Sequence, residues 1–148
     1  MKAAGGSAAA AEFVVDTSAL ISMLFAEPTR DATLVAMAEA RSILLPSCCA
    51  LAATIVAESK LGASGRAELG HLLDIFAVET LPFDVDQAAM AAEAWRRFGK
   101  GRHPAGLNII DCCSYAAATI THLPLLATGM DFARTDLPLV ELTLPAGA

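Results

Sequence analysis

The strongest constraint on the fold is a set of short, wholly apolar runs, each stopped by a polar residue or a proline. Phe13-Val14-Val15 ends at Asp16, Ile43-Leu44-Leu45 ends at Pro46, and Leu125-Leu126-Ala127 follows Pro124. Three residues are too few for a helix, and the absence of polar alternation means that both faces must be covered. Such runs suit parallel strands sandwiched between helices. Val78-Glu79-Thr80-Leu81 and Leu139-Val140-Glu141-Leu142 extend the expected set to five strands.

Segments with helical spacing lie between the runs. Thr17 or Ser18 can cap a helix from Ala19 to Phe25, and Thr29 one from Arg30 to Ala40. Ser47 to Leu61 reads as a helix closed by Gly62, with Ser64-Gly65 as the following turn and Arg66 to Ala77 as the next helix. Asp84 opens a helix that ends at Phe98, Asn108 opens another that runs to Ile120, and Phe132 sits on a short helical turn. Strands alternating with helices predict an α/β, three-layer fold, with a central, mainly parallel sheet of about five strands.

Composition agrees with one domain. The chain has 148 residues, 55% hydrophobic and only 5% aromatic, so its core is aliphatic and favours helices on a sheet over an all-β sandwich. Residues 1–11, rich in Ala, Gly and Ser, read as a disordered arm, residues 12–144 as the domain, and residues 145–148 as a frayed tail. The arm lacks the apolar centre of a signal peptide, and Pro46 or Asp111 interrupts the longest apolar stretches, so no membrane span is expected. Cys48-Cys49 and Cys112-Cys113 are adjacent pairs without zinc-site spacing, and read as buried thiols in a reducing, cytoplasmic setting.

The net charge is −6, which argues against broad, non-specific polyanion binding and leaves nucleic-acid contact to a local patch or to bound cations. The best patch is Lys100, Arg102 and His103 in the loop Gly99–Gly106, with Arg134 near Asp131; a solvated loop explains the same residues equally well.

Chemistry points to three aspartates. In an open parallel sheet, sites gather at the carboxyl ends of the strands. Asp16 directly follows the first strand, Asp131 follows the Leu125–Ala127 strand after a turn, and Asp111 falls in the first turn of the helix opened by Asn108. Each has a plainer role available: helix cap for Asp16, helix N-terminal charge for Asp111, turn residue for Asp131. Converging carboxylates resist ionisation unless a cation neutralises them, and Mg²⁺ takes oxygen ligands of this kind. There is no Gly-rich phosphate loop, so a flavodoxin-like nucleotide-cofactor protein has no motif to rest on.

Three segments also carry a family likeness. Val14-Val15-Asp16-Thr17-Ser18-Ala19-Leu20 resembles the opening of a PIN domain. His103-Pro104-Ala105-Gly106-Leu107-Asn108, continuing to Asp111-Cys112 and Ser114-Tyr115-Ala116, resembles the signature of VapC toxins. Pro124 to Asp131, running on through Phe132-Ala133-Arg134-Thr135-Asp136-Leu137, does the same. The resemblance spans Phe13 to Leu142 and implies the PIN fold, a Mg²⁺- or Mn²⁺-dependent endoribonuclease, a homodimer and a cognate antitoxin partner. It also implies Asp16, Asp111 and Asp131 as metal-site acids, Ser18 as a supporting hydroxyl and Asp136 as a weaker, structural candidate.

One position departs from the pattern. The family's second acid, a glutamate early in the helix after the second strand, aligns with Ala52. Glu58 lies six residues on, about 600° around and about 9 Å along the helix, and is a poor substitute. A weakened nuclease is therefore expected, whether Ala52 is natural or introduced. The rival reading is a catalytically silent PIN-fold module that acts through antitoxin or RNA binding.

Overall fold

The structure is a computed structural model that describes residues 11–143. Apart from Ala11, the expected N-terminal arm lies outside the described residues, as do Leu144 and the expected tail. The elements run β1 (Glu12–Val15), α1 (Thr17–Leu24), α2 (Arg30–Glu39), β2 (Ser42–Pro46), α3 (Ser47–Leu61) and α4 (Ala63–Ile75). They continue as β3 (Glu79–Leu81), α5 (Val85–Phe98), α6 (Ile109–Thr121), β4 (Leu125–Leu126) and a 3-10 turn over Phe132–Arg134.

The four strands form one parallel sheet in the order β3-β2-β1-β4. In β1, Val14 stands opposite Leu44 on one side and Leu125 on the other. Its neighbours Phe13 and Val15 point to the opposite face, because successive side chains alternate along a strand. Phe13 and Val15 pack with Leu20, Met37, Leu45 and Leu69, while Val14 packs with Phe98, Leu107, Tyr115 and Leu125. Phe13 to Val15 is thus apolar throughout because β1 feeds two cores, each fully buried aliphatic side chain contributing about 2 kcal/mol. The three layers match the sequence reading.

Two expectations need correction. Leu139–Leu142 is not a fifth strand; it meets the sheet at a single bridge, Leu125 to Leu139. Leu125 donates its N–H to the Pro138 carbonyl at 3.0 Å and accepts from the Val140 N–H at 2.9 Å. The ladder goes no further because β4 offers only two residues to pair with. Ser64-Gly65 is not a turn either. Gly62 reverses the chain by itself at φ 66°, and α4 starts at the next residue. Gly65 is buried where α4 crosses α3, and a Cβ there would collide with the Ala57 carbonyl. Its small size sets a close helix crossing.

Candidate active site

Asp16 follows β1 and is only 3% exposed. Its extended backbone makes it the N-cap of α1, and one carboxylate oxygen accepts the Ser18 N–H at 2.9 Å. The other oxygen accepts the hydroxyl of Ser114, on α6. Ser114 Oγ also lies 3.0 Å from Cys49 Sγ, on α3, and Thr17 Oγ1 donates to the Cys49 carbonyl at 3.2 Å. The plain and the chemical readings of Asp16 hold together: one oxygen caps a helix while the second faces a polar network.

Asp111 likewise has two roles. It sits at the third position of α6 in a reciprocal capping box. It accepts the Asn108 N–H at 3.0 Å, and Asn108 Oδ1 accepts the Asp111 N–H at 2.8 Å. Its carboxyl is nonetheless pushed up to about 6, chiefly by burial, with the negative charges of Asp16 and Asp131 adding to the effect. The Asn108 N–H opposes that rise without cancelling it.

Asp131 is exposed and immediately precedes the 3-10 turn, whose Phe132 is buried in the core. Ser18 Oγ accepts the Thr128 N–H at 3.0 Å, tying the chain between β4 and Asp131 to the start of α1. The fold therefore brings Asp16 and Asp131 within electrostatic reach of Asp111. Among the described residues, however, no set of three or more His, Cys, Asp or Glu side chains is close enough to hold a metal ion.

Ala52 is half-buried on α3, three residues after the site-facing Cys49. Residues three apart share a helix face, so the missing acid belongs to the Cys49 side of α3. Glu58 instead pairs with Arg66 of α4 at 3.2 Å. Asp136 accepts from Tyr115 and Arg97.

The basic residues are engaged within their own surroundings. Arg102 stacks 4.5 Å over Trp95 and donates to the Arg96 carbonyl at 3.3 Å. His103 Nδ1 accepts the Ala105 N–H at 3.0 Å, and its ring stands edge-on to Phe98 at 5.1 Å. Arg134 donates to the Pro104 carbonyl at 3.2 Å. Among the described residues, no hydrogen bond or ion pair links these three side chains to the three acids.

Sequence reasoning missed Ser114 and Cys49 as parts of the site. Ser114 had a usable signal, since it lies three residues after Asp111 on the same helix face. Cys49 had none. A further feature is an apolar groove of about 630 Å³ between α3, α5 and α6, lined by Leu51, Phe83, Trp95, Leu107 and Ile109. Ile109 is 79% exposed and Leu51 61%, so the groove has an open apolar rim.

Comparison with known proteins gives the class. The PIN domain family model matches residues 13–137, and the chain belongs to that family. Within it, the chain is of the VapC type. It is 41% identical over 129 residues to Ribonuclease VapC30 of Mycobacterium tuberculosis strain H37Rv, covering 87% of this chain and 98% of that one. It is 42% identical over 128 residues to Ribonuclease VapC of Mycolicibacterium smegmatis, covering 86% and 99%. Among solved structures, Mycobacterium tuberculosis VapC20, a Sarcin-Ricin loop cleaving toxin, superposes with a TM-score of 0.71 at 15% identity, covering 86% of this chain and 98% of that one. VapBC-5 of the same organism, a member of the VapBC family of toxin-antitoxin systems, gives 0.58 at 26% identity, covering 85% and 91%.

Proposed function

We propose that the chain is a metal-dependent endoribonuclease toxin of a toxin–antitoxin pair, weakened by Ala52. The observation that carries this reading is the placement of Asp111 at the first turn of α6, partly buried and within electrostatic reach of both Asp16 and Asp131, which makes its carboxyl harder to ionise. A fold that holds Asp111 near two like charges is relieved by a cation. The donor set is all carboxylate oxygen, which fits Mg²⁺ or Mn²⁺ and disfavours softer metals. Asp16, Asp111 and Asp131 would hold the ion, which when bound supplies charge neutralisation at the scissile phosphodiester and an activated water.

The residues of the chain do the rest. Ser114 and the Ser18 N–H keep both Asp16 oxygens oriented. Ser18 Oγ fixes the approach of the segment that carries Asp131. Lys100, Arg102 and Arg134 supply the positive charge for the RNA backbone, Arg102 and Arg134 by exchanging their present contacts, with His103 in the loop that precedes Asn108 and Asp111. With a net charge of −6, their effect is local.

Relatives named ribonuclease support the reaction, and the VapBC-5 likeness supports an antitoxin as partner. The open apolar groove supports association of two copies in a homodimer. No helix among the described residues is long and apolar enough to cross a membrane, which accords with the cytoplasmic location we infer.

The second reading, a silent PIN-fold module, draws on the absence of a preformed three-ligand set among the described residues. One experiment separates the two. RNA cleavage by the purified chain is measured with and without Mn²⁺, alongside Asp16→Asn and Asp111→Asn. Mn²⁺-dependent cleavage abolished by both substitutions supports the nuclease; RNA or antitoxin binding without any metal response supports the silent module.

A further inference from the structure

Helix α6 carries Ser114 and Tyr115 side by side, and the two serve different acids. Ser114 holds Asp16, while Tyr115, only 2% exposed, donates its hydroxyl to Asp136 Oδ1 at 2.6 Å. Arg97, in the last turn of α5, completes a closed triangle. Its Nη1 donates to the Tyr115 hydroxyl at 3.1 Å and its Nη2 to Asp136 Oδ2 at 3.1 Å. The Phe98 ring lies beneath, 5.6 Å from the Tyr115 ring and 4.7 Å from the Arg97 guanidinium. Charge-assisted bonds with all three partners satisfied by one another make a rigid unit.

The position of Asp136 gives this unit a purpose. Asp131 and Asp136 bracket one short segment whose regular structure is limited to the Phe132–Arg134 turn. Within it, Thr135 Oγ1 donates to the Phe132 carbonyl at 2.7 Å and accepts the Leu137 N–H at 3.2 Å, so the segment is internally braced. The Arg134 N–H donates to the Asp131 carbonyl at 3.3 Å, so hydrogen bonds link Asp131 to the stretch that ends at Asp136. The Asp136 carboxyl is held below its ordinary range, first by Tyr115 and then, against partial burial, by Arg97. Burial, and then the Asp136 contact, push the Tyr115 hydroxyl up to about 12.

We propose that Tyr115, Arg97 and Asp136 form a clamp that keeps Asp131 within electrostatic reach of Asp111, so that Tyr115 and Arg97 are positioning residues for divalent-cation binding. This rests on the reading that the three acids bind such a cation. The competing account is a clamp that only fastens the C-terminal segment to α5 and α6. On that account, its loss lowers melting temperature and leaves the metal untouched.

The test is Mn²⁺ affinity, followed through the electron paramagnetic resonance signal of free Mn²⁺, for the whole chain without RNA. Tyr115→Phe keeps the ring and removes the hydroxyl; an affinity loss of about tenfold is expected, equivalent to about 1.4 kcal/mol. In an Asp131→Asn background the same change should add less than about twofold, since the acid being positioned is gone. Arg97→Gln and Asp136→Asn, whose side chains are 46% and 54% exposed, provide the same reading should the tyrosine variant fold poorly. A wild-type chain that binds Mn²⁺, with variants that bind equally well, overturns the clamp alone. Full additivity with Asp131→Asn also overturns it. A wild-type chain that binds no Mn²⁺ overturns the acid-site reading, and the clamp falls with it.

Discussion

Ser114 gives its hydroxyl proton to Asp16, a partner 98 positions earlier in the chain, in a contact closed to solvent. That bond joins α6 to the end of β1 and supplies one of the two donors the buried carboxylate has. Ser114→Ala leaves the oxygen without its donor at a site with little water access. We expect a stability loss of about 1–3 kcal/mol, read from urea unfolding at neutral pH. Asp16→Asn should recover part of it, because a neutral amide tolerates the loss of a donor better than a carboxylate. A Ser114→Ala midpoint equal to wild type would show that Asp16 does not depend on this hydroxyl.

Asp111 links pH to metal. Its carboxyl rises from 3.8 to about 6 in the folded chain. A raised acid contributes stability fully below its unfolded value and loses it as pH climbs through the folded one. The metal-free chain should therefore lose part of its stability between about pH 4 and pH 6. Mn²⁺ should raise the melting temperature more at about pH 7.5 than at about pH 5, where protons compete for the carboxylate. Thermal unfolding at both pH values, with and without Mn²⁺, checks this; an equal shift at both would count against Asp111 as a ligand.

Ala52 lies on the site-facing side of α3, whereas Glu58 is committed to Arg66. Ala52→Glu should increase Mn²⁺-dependent RNA cleavage by about tenfold or more, a barrier change of at least about 1.4 kcal/mol. Glu58→Ala should leave cleavage unchanged and cost less than about 1 kcal/mol, as expected of an exposed ion pair. Initial rates on a single-stranded RNA measure both. Gain from the first and loss from the second in reversed order would reassign the acid.

Ile109 offers a clean test of self-association, being 79% exposed at the groove rim. Ile109→Glu should convert a dimer into a monomer in sedimentation velocity, with little change in melting temperature. A dimer that survives would place the contact elsewhere.

Most of the architecture was legible because burial on both faces leaves a compositional mark. Phe13–Val15 and Ile43–Leu45 have no polar position to spare, and both became strands within β1 and β2. Leu139–Leu142 has similar composition but lacks a partner long enough to pair with, and pairing is a property of the neighbour. The Ser64-Gly65 dipeptide has turn chemistry, yet tertiary packing against α3 used Gly65 for its size.

The acids were readable at the ends of strands and in helix first turns, where topology focuses chemistry. Their partners were harder. Ser114 shares a helix face with Asp111, a spacing that can be read. The Arg97–Tyr115–Asp136 triangle joins residues 18 to 39 positions apart through side-chain reach, which leaves no local pattern. Arg102 and His103, promising as a cationic patch, turned out to brace their own loop against Trp95 and Phe98.

The single bridge at Leu125 bears on how this chain survives damage. Among the described residues the sheet has no strand beyond β4, and the amide and carbonyl of Leu125 are satisfied by Pro138 and Val140. A protease cut just after Asp136 would strip away that cover and leave an apolar strand edge open to pairing with other chains. Nicked molecules should therefore precipitate instead of persisting as soluble fragments. Removal by aggregation or degradation would then follow from a cut well away from the acids themselves.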